Sequence, residues 1–271
     1  MATDVASDER VIQPQPPEPR RPVQRLYSGR FLLVYGALAV AAAGAIAGLV
    51  VALSHAGVGG GGPTWSSWKP SGGGLGAASQ IAEHVSKGYR LPNGDQLVDV
   101  IAKAPSVSPS SGQTAPLHYI AIQGKKGAGS VPFPVSSSNS VMYQLCGLGT
   151  SCSISSGAPT VARGTLVRRE ILELALYTFK YVGGIKHVIA FMPPPPGQSA
   201  QYLVYLQKND LAPYLKAPLT QTLGSHVPFP ATIPAREVHA IDAATESKVF
   251  KFGLAQAQTG DLVLVLTPLA A

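Results

Sequence analysis

Charge is scarce in this chain. Lys, Arg, Asp and Glu make up 13% of its 271 residues, about half the share usual in soluble proteins. Loops and linkers must therefore draw their polarity from Ser, Thr and Gly. No basic stripe interleaved with aromatics occurs, which excludes nucleic acid as a partner. Cysteine is rarer still, with two copies, too few for a thiolate zinc site. The six histidines (His55, His84, His118, His187, His226, His239) show neither HxxxH nor HExxH spacing, so no metal and no cofactor is expected. Ser66 and Lys69 form an SxxK pair without a downstream KTG. The lysines of Gly124–Ser130 are misplaced for a phosphate loop. No Ser, His and Asp set can be assembled.

What the chain does have is Gly and Pro, with 29 and 24 copies, and one long apolar run. Phe31 to Leu53 is 23 residues without a charge. As a helix it reaches roughly 34 Å, enough to cross a hydrocarbon core of about 30 Å. Signal-peptide cores are shorter, about 7–15 residues, which favours an uncleaved anchor. The small-x-small site Ser54-His55-Ala56 keeps cleavage after Ala56 as the competing reading. No Cys follows the run, so lipoprotein anchoring is excluded. Arg20, Arg21, Arg25 and Arg30 precede it, whereas the first basic residue beyond is Lys69. Positive charge stays in the cytoplasm, so the expectation is a single-pass cell-membrane protein, N-terminus inside and C-terminal domain outside. Within the run, Gly44 and Gly48 form a GxxxG pair on a face extended by Ala37, Ala41 and Ala52. Such a face suits helix–helix contact with a second copy or another membrane protein. Eleven of the 23 residues are Ala or Gly, so chance spacing competes.

Four segments follow. Residues 1–30, built around QPQPPEPRRP, read as a disordered, Pro-rich cytoplasmic tail. Residues 31–53 are the transmembrane helix and 54–74 a Gly/Ser-rich tether. In that tether, Trp65 and Trp68 either sit at the lipid interface or cap the outer domain. Residues 75–271 are the extracytoplasmic domain. The net charge of +7 lies mostly there, as sixteen basic against ten acidic residues follow the span. Besides the bilayer, anionic envelope polymers are thus a candidate partner, set against a plain solubilising surface.

Within the domain, helical spacing predicts a helix over 77–88 and a central one over Thr165–Val182, apolar around most of its circumference. Strands are predicted over 97–101, 117–123, 140–145, 187–192, 202–206, 238–241, 248–254 and 262–267, with a broken helix over 211–223. Mixed elements without regular βαβ spacing predict an α+β fold. The tetrapeptide VPFP at 131–134 recurs at 227–230, but its flanks do not match, which argues against a repeat.

Cys146 and Cys152 frame Gly-Leu-Gly-Thr-Ser. Five intervening residues exceed the two of a redox pair, and an oxidising compartment favours a structural disulfide. Glu170 and Glu173, three apart on the central helix, are the nearest approach to paired carboxylates, although Arg163, Arg168 and Arg169 make salt bridging the simpler account. The run CGLGTSC, then RREILELALYTFKYV, then VIAFMPPPPG resembles uncharacterised single-pass envelope proteins of high-GC Gram-positive, actinobacterial type, from about Gln80 to Leu223. That resemblance implies topology and source, not activity. The expected function is a membrane-anchored extracytoplasmic interaction or scaffolding protein of the bacterial cell envelope. The alternative is an anchored enzyme acting on wall or lipid substrates.

Overall fold

The computed structural model describes residues 64–107, 114–124, 132–155 and 157–269. The expected tail, the apolar span with Gly44 and Gly48, and the Lys-Gly stretch 125–131 lie outside these residues. Among the described residues, no helix is long and apolar enough to cross a membrane.

The fold is α+β. The described residues hold ten strands: β1 (Asp99–Lys103), β2 (Ser106–Val107), β3 (Ala115–Pro116), β4 (Tyr119–Ile122), β5 (Pro132–Pro134), β6 (Ser140–Cys146), β7 (His187–Phe191), β8 (Tyr202–Gln207), β9 (Val249–Gln256) and β10 (Leu262–Pro268). Eight of them form one sheet in the order β1-β6-β7-β8-β9-β10-β4-β5, and β2 pairs with β3 apart. The β6–β7 and β10–β4 pairs are parallel and the other neighbours antiparallel.

The apolar runs of β6, β7 and β8 follow from burial on both faces. Val141, Tyr143, Leu145, Val188, Ala190, Val204 and Leu206 face the helices. Met142, Ile189, Phe191, Leu203 and Tyr205 point the other way, into a second core completed by Phe250 of β9, Leu264 and Leu266 of β10 and Ile120 of β4. The sheet therefore curls back over itself. Phe133 of β5, the last strand, meets His187 and Tyr205 near the middle, with ring centroids 5.7 Å apart in each case.

The helices are α1 (Gly74–Ser86), α2 (Val161–Tyr181), α3 (Ala212–Lys216), α4 (Leu219–Thr222) and α5 (Ala235–Thr245). Helix α2 is the hub, packing on α1, α3, α5 and the sheet. Thr160 caps it by accepting the Arg163 N–H at 3.2 Å. It connects β6 to the parallel β7, a crossover that the sequence spacing does not announce. The expected strand over 238–241 is instead the middle of α5. Pro234 is its N-cap, and Glu237, Ile241, Ala244 and Thr245 face inward at helical spacing. The two VPFP copies also diverge, since 132–134 form a strand whereas Pro230 opens a 3-10 turn.

Candidate functional site

Glu170 and Glu173 do not act as a pair. The centre of their neighbourhood is Arg169, 1% exposed between α2 and α5. Its Nε donates to Glu237 Oε2 at 2.8 Å, Nη1 to Glu173 Oε2 at 3.2 Å and to the Tyr89 hydroxyl at 2.6 Å, and Nη2 to the Gly224 carbonyl at 3.2 Å. Tyr89 in turn donates to Glu173 at 2.6 Å. All the guanidinium nitrogens are satisfied, the condition under which a buried ion pair is tolerated. A Cβ on Gly224 would lie 2.5 Å from Glu237 Oε1 and would displace the carboxylate that Arg169 holds.

Glu170 stands beside this network without joining it. It is wholly buried, and neither carboxyl oxygen has a hydrogen-bond partner among the described residues. Burial pushes its pKa well above the ordinary value, Glu173 and Asp99 push the same way, and Arg169 opposes them. The neighbouring Arg168 is a separate clamp, donating to Asp242 at 2.7 Å and to the Thr245 hydroxyl at 3.1 Å. The network ties α2 to α5 through Arg169 and Glu237.

The tryptophans close the domain rather than stand apart from it. Trp65 packs edge-on against Tyr177 and Tyr181 at 5.4 and 5.6 Å, and Trp68 stacks on His84 at 3.9 Å. The Leu219 amide donates to the Trp65 carbonyl at 2.7 Å. Ser66 is absorbed by the same cap, bonding Tyr181 at 2.8 Å, and Lys69 is exposed. Of the other described histidines, His118 pairs with Asp261 at 2.9 Å, His187 shares a 2.8 Å hydrogen bond with Tyr205, and His226 meets Ser225. His239 is exposed. Among the described residues no cluster of His, Cys, Asp and Glu has the geometry to hold a metal.

Cys146 and Cys152 form a disulfide, with Cα atoms 4.1 Å apart. The loop between them is tightly wound. Leu148, Ser151 and Cys152 all have positive φ, a strained choice for residues bearing a Cβ. Gly147 and Gly149 are needed, since a Cβ on either would come within 2.8 Å of the Ser153 carbonyl. This loop and Pro196–Ser199 border a cleft of about 620 Å³ at the C-terminal ends of β6 and β7. Sheets with parallel strands often bind ligands at that end, yet the residues lining this cleft, Ile154 and Gln198 among them, carry no charge. Another cleft, of about 480 Å³ near the start of β7, presents Lys186, His187 and Lys208.

No family model, curated protein or solved structure matches the chain.

The edges of the sheet differ in kind. β5 carries Pro132 and Pro134, which lack an N–H and blunt an edge. β1 reads Asp-Val-Ile-Ala-Lys, has no proline and, among the described residues, pairs only with β6. Ile101 is 48% exposed. Beside it, a cleft of about 380 Å³ runs between α1 and β1, lined by Ser79, Glu83, Lys87, Asp99, Ile101 and Ala102. Nothing in the sequence distinguishes this strand, because being an edge is a property of the sheet order.

Proposed function

We propose that this chain is an extracytoplasmic interaction module of the bacterial cell envelope, held at the membrane by residues 31–53. The observation that carries the reading is the β1 edge, unpaired among the described residues and lying beside a cleft, the geometry with which a sheet accepts an added strand. The displaced carboxylates favour it too. Glu170 is enclosed in the core and Glu173 is held by Arg169 and Tyr89, whereas an anchored enzyme would turn such groups into a cleft. Apolar helix contacts through Gly44 and Gly48 are a second route to partners in the bilayer. The Lys186–Lys208 cleft is the place where an anionic envelope polymer finds two cations.

The test is the size of the native complex extracted from the membrane in mild detergent. Ile101→Lys adds a charge on the exposed side of β1 without entering the core. The expected outcome is a smaller complex with an unchanged circular dichroism spectrum. A complex of unaltered size removes the β1 edge as the interaction site.

A further inference from the structure

We infer that the partner of the β1 edge is a second copy of this chain, paired antiparallel about a two-fold axis at Ile101. The inference rests on the interaction reading above and adds to it the identity of the partner and the register.

The argument begins with the five residues. Asp99, Ile101 and Lys103 alternate along β1 with Val100 and Ala102, and the latter two pack on the helix-side core. Asp99, Ile101 and Lys103 therefore share the opposite face. An antiparallel pair centred on Ile101 sets Asp99 against Lys103 of the second copy, twice by symmetry, and Ile101 against its own counterpart. Opposite charges facing across antiparallel strands are stabilising and like charges destabilising. A two-fold interface requires a patch that complements itself, and this strand is such a patch. The reading also supplies what both charges lack. Neither Asp99 nor Lys103 has an ion pair among the described residues. Lys103 Nζ reaches only the neutral Gln144 Oε1, at 3.1 Å, and partial burial lowers its pKa. On the helix side, Glu83 and Lys87 line the same cleft and are 2.6 Å apart. The two-fold axis brings up the second copy's helix with those charges in reverse order. Other extended peptides fit an open edge, but a second copy brings with it the charge order that complements Asp99 and Lys103.

Five paired residues on each side make a small interface, so the dimer is weak and is measured at about 100 μM rather than at trace concentration. The experiment uses the purified full chain in non-ionic detergent. Ile101→Cys places two thiols at the axis, where facing Cα atoms of antiparallel strands lie about 4.5–5.5 Å apart, within disulfide reach. Mild oxidation is expected to give a covalent homodimer that the parent does not. Asp99→Lys and Lys103→Asp each create two like-charge pairs and are expected to weaken dimerisation about tenfold. The double swap Asp99→Lys/Lys103→Asp restores it to within about threefold, a rescue that damage to the fold would not produce. Absence of the cross-link, or a double variant as weak as the single ones, overturns the proposal. A dimer that persists in both single variants belongs to the span 31–53 and overturns it too. If the purified chain gives no cross-link while Ile101→Lys still shrinks the native complex, the second copy is wrong but the interaction reading stands. If Ile101→Lys changes neither, both fall.

Discussion

Replacing Glu170 with glutamine keeps the side chain's shape and removes its titrating proton, so the variant isolates what holding that carboxyl neutral costs. In the unfolded chain the group ionises with the ordinary value of 4.5, whereas burial in the fold holds its pKa well above that. Below pH 4.5 both states are protonated and the shift costs nothing. As pH rises further, the unfolded state releases its proton and gains stability that the folded state cannot match until its own, higher pKa is passed. Each pH unit in that window costs the fold about 1.4 kcal/mol. The sum at pH 7 is roughly 3 kcal/mol at most, since relaxation around the site lowers the folded pKa. Glu173, Asp99 and Arg169, the charged groups acting on Glu170, are present in both proteins and largely cancel in the difference. Urea unfolding of the full chain, followed by Trp65 and Trp68 fluorescence, measures it directly, because both rings lie in the folded cap. Glu170→Gln should match the parent near pH 4 and exceed it by about 1–3 kcal/mol at pH 7. A difference that stays constant across this range, or a variant weaker than the parent at pH 7, refutes the reasoning.

Three further outcomes are expected. Glu237→Ala removes the 2.8 Å partner of Arg169 and should cost about 3–5 kcal/mol, as breaking a buried pair does, read as a lower urea midpoint. Glu237→Gln, which keeps an acceptor, should lose less. Replacing Cys146 and Cys152 by serine opens a loop of sequence separation 6, and loop entropy puts the loss at about 2 kcal/mol; the thermal midpoint of oxidised parent and variant checks it. Trp65→Ala empties the contact with Tyr177 and Tyr181 and should cost about 3–5 kcal/mol by circular dichroism in urea. A ring serving only the lipid interface would leave that curve unchanged.

The elements legible in the sequence are those whose signal is local. Helix α2 shows apolar residues around most of its surface and is buried accordingly, from Leu166 to Phe179. The runs of β6, β7 and β8 read as strands because both their faces are covered. The disulfide is readable from the spacing of the two cysteines together with the expected oxidising compartment. Val238–Ile241 misleads for a physical reason. Its β-branched residues suit a strand, but the buried Glu237–Arg169 bond and Ile241 at the next turn hold it as a helix, so tertiary contact overrides propensity. Glu170 is the subtler case. Its spacing from Glu173 is real, but Arg169 satisfies Glu173 at i, i+4 and takes its second carboxylate from Glu237, 68 residues away. No local pattern carries that choice of partner, nor the isolation of Glu170 that follows from it.

The same distinction bears on function. Charge is scarce here, and the fold places it in two different ways. Arg169, Glu173 and Glu237 are drawn inward, where they tie α2 to α5 and to the loop at Gly224. Such a network specifies one arrangement of helices more than it adds stability, because desolvation offsets much of the attraction. Asp99 and Lys103 are placed at the two ends of β1, the edge of the eight-stranded sheet that carries no proline. A charged edge ordinarily discourages pairing. One bearing an anion at one end and a cation at the other discourages pairing only in the wrong register and favours it in the antiparallel one. The residues that bar β1 from indiscriminate strand addition are thus the same ones that select its partner.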